Sequence, residues 1–167
     1  APGFQFLHCL ENGAEGGGSV FADGFALAET LRAEDPEAFA LLRDTAVPFR
    51  FHDATADIRH RDTAIRCDHD GRVAEIRHNA HIADTLDLPP ETLPGYYRAY
   101  RRFMALMREP RWHVTLRLSG GEMAVFDNAR ALHGRESFDP STGRRHLRGF
   151  YVDRGEWDSR IRVLSRA

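Results

Sequence analysis

A chain of 167 residues, 42% hydrophobic and 29% charged, has the size and polarity of one globular domain around a single core. Its formal charge of −2 argues against a nucleic-acid surface, and no apolar run is long enough to span a bilayer. Cys9 and Cys67 have no CxxC spacing, so they make no disulfide framework and read as reduced, half-buried thiols; with no basic-then-apolar leader, the expected compartment is the cytoplasm. All 23 basic residues are arginine, a uniformity read as compositional bias rather than as the mark of one site.

Residues 3–10, GFQFLHCL, alternate and are β-prone, which predicts a strand. The glycine-rich ENGAEGGGS after it is a loop, and without Lys-Ser/Thr or GxGxxG it is no phosphate cradle. FADGFALAETLRAED predicts a helix capped by Asp23, with Leu27 and Leu31 on one face. Pro36 opens a second short helix, PEAFALLRDT. VPFRFHD is a short strand. TAIRCDHDGRVAEIRHN predicts a hairpin about Asp70-Gly71, a dipeptide suited to a tight primed turn. PPETLPGYYRAYRRFMALMRE is the longest helix, with Tyr97, Tyr100, Met104 and Met107 as its core stripe and Arg101-Arg102 on a solvated face. From Trp112 the chain is β-prone again, through WHVTLRL, EMAVFDN, ARALHGRESF and RRHLRGFYVD, and EWDSRIRVL closes it as a short helix. The turns between include Ser119-Gly120-Gly121 and Asp139-Pro140-Ser141. This order predicts a mainly β single domain over 1–167, a jelly-roll-like barrel with a helical insert at about 22–109.

Nine histidines raise the question of a metal. His8, His52, His69, His78, His81 and His113 show no ligand spacing, and neither HExxH nor G-x-S-x-G occurs. Two features remain: His60-Arg61-Asp62, the one His-x-Asp in the chain, and His133, set among β-prone runs. Two histidines and a carboxylate on one face of an iron leave three positions open, enough for a chelating 2-oxo acid and oxygen. A bidentate arginine suits the far carboxylate of such an acid, and Arg145 follows His133 by one turn and part of a strand. Each has a plainer reading. His60-Arg61-Asp62 can be a solvated loop, His133 a buried histidine satisfied by a backbone carbonyl, and Arg145 the partner of Asp139 or Asp153.

Four segments, GFQFLHCLENGAEGGGSVFADGF, HDGRVAEIRHN, FDNARALHGRESF and GRRHLRGFYVDRGEWDSRIRVL, together resemble the γ-butyrobetaine and trimethyllysine hydroxylases. These belong to the taurine-dioxygenase-like branch of the Fe(II)/2-oxoglutarate oxygenases. The resemblance covers essentially the whole chain in order, and LHGR followed by RHLRGFYVD is its specific part. It implies a double-stranded β-helix, or jelly-roll, oxygenase core lacking its N-terminal strands. It makes His133 the distal iron histidine and Arg145 the arginine that grips the side-chain carboxylate of 2-oxoglutarate, with Ser19 helping. Asn79 and Tyr151 would look onto the substrate. Fe(II), 2-oxoglutarate and O2 are the implied cofactors, with ascorbate as an optional reductant. The implied reaction hydroxylates a small trimethylammonium betaine, γ-butyrobetaine first and trimethyllysine second, its head group held by cation–π contacts.

The family's own His-x-Asp, most of its cation cage and its accessory domain are expected upstream of Ala1. The chain is thus expected to be the C-terminal part of a catalytic domain, short of two of three iron ligands. His60-Arg61-Asp62 falls in a variable connection of the family. A small-molecule substrate and a homodimer are expected, with no nucleic-acid or membrane partner. The alternatives are a non-catalytic or degenerate β-barrel of the same family, or a related oxygenase for another small acid.

Overall fold

The computed structural model describes residues 3–166. In chain order its strands are β1 (Phe4–Asn12), β2 (Glu15–Gly16), β3 (Ser19–Asp23), β4 (Val47–His52), β5 (Asp57–Asp62), β6 (Ile65–Cys67), β7 (Val73–Ile76), β8 (Val114–Leu116), β9 (Met123–Asp127), β10 (Ala131–Arg135), β11 (Phe138–Asp139) and β12 (Arg145–Val152). The helices are α1 (Gly24–Glu34), α2 (Pro36–Asp44), α3 (Leu93–Met107) and α4 (Arg154–Leu164). Two compact units result: Ala1–Ala22 with His113–Ala167, and Asp23–Trp112. No described helix is long and apolar enough to cross a membrane.

The first unit contains two three-stranded sheets, ordered β12-β1-β9 and β10-β3-β8, and a small β11-β2 ladder. From β8 to β9, β9 to β10 and β10 to β12 the chain passes from one of these sheets to the other, the strand exchange of a double-stranded β-helix. In the first sheet Gln5 lies opposite both Tyr151 and Phe126, and Leu7 opposite Gly149 and Ala124. Directly opposed residues share a face, so one face of β1 carries Gln5, Leu7 and Cys9, of which Gln5 and Cys9 are buried. The other face carries Phe4 and Phe6, which α4 covers with Trp157 at ring distances of 4.8 and 6.3 Å. A bulge between Cys9 and Glu11 re-aims the end of β1 and sets Asn12 opposite Arg145.

In the second unit the Asp23 carboxylate accepts from the backbone N–H groups of Phe25 and Ala26, and Asp35 caps α2 ahead of Pro36. Leu27, Leu31, Leu42, Ile65, Phe103 and Leu106 form its fully buried core.

Four expectations need correction. Helix α3 buries Tyr96, Ala99, Phe103 and Leu106, whereas Tyr97 of the expected stripe is 52% exposed. Both stripes have helical spacing, and one residue turns a helix by about 100°. Periodicity finds the helix; packing against α1 and α2 chooses its face. The Asp70-Gly71 hairpin forms between β6 and β7, but through a longer loop in which Cys67 pairs with Val73. There the Asp68 carboxylate accepts from the N–H groups of Asp70 and Arg72, with Gly71 at φ 78°, so an Asx-type cap displaces the two-residue turn. His60-Arg61-Asp62 is the end of strand β5, paired with β4 in the register Phe49↔His60 and Val47↔Asp62, not a loop. Cys9 is fully buried rather than half-buried, while Cys67 is half-buried; both are free.

Candidate active site

The inner walls of the first unit are fixed by three aromatic rings. Phe126 on β9 meets Phe21 on β3 edge-on at 5.0 Å and His133 on β10 at 4.8 Å. Phe21 and His133 belong to one sheet and Phe126 to the other, so all three point into the space between the sheets. Strand alternation then carries Ser19 onto the same wall as Phe21, and Arg135 onto the same wall as His133. Across from them, Tyr151 shares the face of Gln5 and Phe126, and Arg145 and Leu147 share the face of Tyr151. Four of the five expected site residues, Ser19, His133, Arg145 and Tyr151, thus line one space.

His133 is exposed there, not buried, and its Nδ1 lies 3.4 Å from the Ala131 carbonyl oxygen. A carbonyl can only accept, so this long contact favours the tautomer protonated on Nδ1 and leaves the Nε2 lone pair free. Ser19 is 4% exposed and sits opposite Leu116. Tyr151 is 55% exposed.

Arg145 pairs with neither Asp139 nor Asp153. Its Nη2 donates to the Gly17 carbonyl oxygen at 3.1 Å, its guanidinium carbon stands 5.5 Å from the centre of the Phe138 ring, and its Nε is buried with no partner. Burial, and then the charge of Arg135, lowers its pKa from the ordinary arginine value. The glycine-rich loop makes room for it. Gly16 and Gly17 adopt φ of 77° and 72°, and a Cβ at Gly17 would come within 2.9 Å of Arg145 Nε. Arg117 holds the loop from the other side, donating to the carbonyl oxygens of Ala14 and Gly16.

Asn79 belongs to the second unit, in the connection after β7. Its Oδ1 accepts from the His81 N–H at 3.0 Å, and the residue is exposed. The adjacent His78 is half-buried and meets the Tyr100 hydroxyl at 2.8 Å. Burial, and then the charge of Arg108, holds its pKa below the ordinary histidine value. Tyr96, stacked on Tyr100 at 6.2 Å, is pushed up to about 12, by burial first.

His60 and Asp62 share one face of β5, 3.3 Å apart, but Asp62 is also held by Arg77 at 2.8 Å. Among the described residues no group of three or more His, Cys, Asp or Glu side chains comes together to hold a metal. The donor set in hand is therefore one imidazole. It fits as one ligand of an iron and is too little to hold that iron by itself. An oxo acid fits better, because a buried guanidinium nitrogen without a partner is what its carboxylate would satisfy.

Reading single residues missed Phe126, Arg135, Arg117 and the buried Gln5. Arg135 was within reach of the sequence, since two steps along a strand return to the same face. The ring bridge and the loop strap join residues far apart in the chain and carry no local signal.

Two sheets exchanging strands, with an imidazole and an unneutralised arginine on facing inner walls, define a jelly-roll core of the oxygenase kind. The chain matches the family described as taurine catabolism dioxygenase TauD, TfdA, over residues 1–151, and belongs to that family. It is 50% identical over 165 residues to a γ-butyrobetaine dioxygenase of Pseudomonas sp. (strain AK-1), covering 99% of this chain and 43% of the relative. With the Homo sapiens γ-butyrobetaine dioxygenase it shares 36% identity over 173 residues, covering 98% of this chain and 43% of that one. The chain thus spans under half the length of these relatives. Among solved structures, AAD-2 in complex with Mn(II) and N-oxalylglycine superposes with a TM-score of 0.69 over 90% of this chain and 63% of that one, at 18% identity, a likeness of fold.

Proposed function

We propose that the chain forms part of the catalytic domain of an Fe(II)/2-oxoglutarate-dependent dioxygenase that hydroxylates a small trimethylammonium betaine, with γ-butyrobetaine the first substrate to try. The observation that carries this reading is that Ser19, His133, Arg145 and Tyr151 all face the space between the two sheets. His133 offers Nε2 to the metal as one of its protein ligands. Arg145 and Ser19 receive the distal carboxylate of 2-oxoglutarate, a charge-assisted contact that fixes the acid's orientation. Bound iron supplies the oxygen chemistry that couples decarboxylation of the oxo acid to C–H hydroxylation. Tyr151 presents an aromatic face suited to a quaternary ammonium. The two γ-butyrobetaine dioxygenases, at 50% and 36% identity, support the choice of substrate.

The test is turnover of the protein with Fe(II), 2-oxoglutarate, O2 and γ-butyrobetaine, reading succinate and a product heavier by one oxygen. Trimethyllysine serves as the comparison substrate. Succinate coupled to hydroxylation of the betaine supports the reading. Metal and oxo-acid binding with no turnover on either betaine supports the non-catalytic alternative.

A further inference from the structure

Beside Arg145 stands a second arginine that the functional reading leaves unused. Arg135 lies two residues beyond His133 on β10, hence on the same inner wall. Its guanidinium carbon is 4.4 Å from the centre of the Phe138 ring, the ring that Arg145 approaches at 5.5 Å. Two cations therefore share one aromatic ring. Arg66, Arg77, Arg102 and Arg154 all find a carboxylate partner, but among the described residues neither Arg135 nor Arg145 does. Arg145 gives its one hydrogen bond to a neutral carbonyl and keeps a buried nitrogen without any. The nearest acid in sequence, Glu136, directs its carboxylate at Gly18.

Arg145 is half-buried and Arg135 exposed, so water screens part of the repulsion between these like charges, and a bound anion would relieve what remains. We propose that Arg135 is a second cationic determinant of the oxo-acid site, acting through its field to favour a dicarboxylate oxo acid over a monoanionic one. The inference rests on the reading of Arg145 as the co-substrate arginine. Arg135 needs no direct hydrogen bond to the ligand. At a separation of several ångströms in a medium between protein and water, a unit charge shifts the affinity of a carboxylate by about five-fold. Phe138 gives each guanidinium a cation–π contact.

The experiment is calorimetric titration of the protein with 2-oxoglutarate and with pyruvate, in buffer containing Mn(II) at low and high salt, together with the melting temperature of the ligand-free protein. Arg135→Gln is expected to weaken 2-oxoglutarate by about five-fold, flatten the salt dependence of that binding and leave pyruvate within two-fold. The same variant is expected to melt higher without ligand, because the like-charge repulsion is gone. Arg135→Lys, which keeps the charge, is expected to restore most of the affinity. Unchanged 2-oxoglutarate affinity and salt slope in Arg135→Gln would overturn the proposal. Equal weakening of both acids with a lower melting temperature would also overturn it, since that is a merely structural effect. Arg145→Gln separates the two levels: full 2-oxoglutarate affinity in that variant overturns the reading of Arg145, while its loss alongside an indifferent Arg135→Gln overturns this inference alone.

Discussion

The rings of Phe126 and His133, from different sheets, lie 4.8 Å apart at an angle of 51°. This contact sets where the imidazole points, because among the described residues its one polar contact is the long one to Ala131. Phe126 also touches Phe21, so it braces both walls at once. Phe126→Ala is expected to cost about 3 kcal/mol in denaturant unfolding. Phe126→Leu should keep most of that stability yet loosen the imidazole, with Fe(II) affinity falling about ten-fold. A leucine variant that binds iron like the wild type would show that the ring fills space without orienting His133.

Gly17 and Gly71 form a matched pair. Both have positive φ, 72° and 78°, but a Cβ at Gly17 meets Arg145 and Phe138, whereas at Gly71 it meets nothing within 4 Å. Each alanine variant should lose about 1–2 kcal/mol of stability from left-handed strain. Only Gly17→Ala should raise the KM for 2-oxoglutarate, by several-fold, since only there is Arg145, the arginine proposed to hold the oxo acid, displaced. Steady-state kinetics on the two variants at matched stability checks this. An equal rise in both would mean that strain, not placement of Arg145, sets the KM.

His78 gives the protein a pH dependence of defined sign. Its folded-state pKa lies below its unfolded value, so the unfolded chain binds the proton first on acidification. Its contribution is fully present above the unfolded value of about 6.5 and is lost as pH falls from there toward the lower folded pKa. Unfolding free energy measured across that window should decline toward acid, and the decline should shrink in His78→Gln. A variant whose pH profile matches the wild type's would assign the titration to another group.

Arg77 joins the two hairpins of the second unit, bonding Asp62 at 2.8 Å and the buried Glu75 at 2.8 Å, and Arg66 also pairs with Glu75. Burial alone would raise the Glu75 pKa, but the hydrogen bond and charge of Arg77 outweigh it and hold the carboxyl below its ordinary value. Arg77→Met leaves that carboxylate undercompensated and should cost about 3 kcal/mol by thermal or chemical unfolding. The double variant Arg77→Met with Glu75→Leu should recover much of the loss. No recovery would place the cost in Asp62 or in packing.

Local signals were read well from the chain itself. Asp23 caps its helix through its own side chain, Pro36 opens a first turn, and the β-prone runs after Trp112 are strands. Each depends on neighbours within a few residues, so sequence carries it. The α3 face, the β5 strand and the Asp68-capped loop were not legible in the same way. Tyr97 and Tyr96 are equal candidates for burial until α1 and α2 pack against the helix. His60-Arg61-Asp62 is polar throughout and becomes a strand because β4 offers it a ladder.

The order and spacing of LHGR, RHL and the glycine-rich loop were enough to mark the family and to nominate His133, Arg145 and Ser19, since covalent order survives in any reading of the chain. Tertiary structure alone decided that these groups face one space, that Phe126 bridges the sheets, and that Arg145 shares Phe138 with a second unpaired arginine. Those facts rest on which strands exchange between sheets and on a bulge at Leu10 that shifts register, and such long-range pairings leave no periodic trace along the sequence.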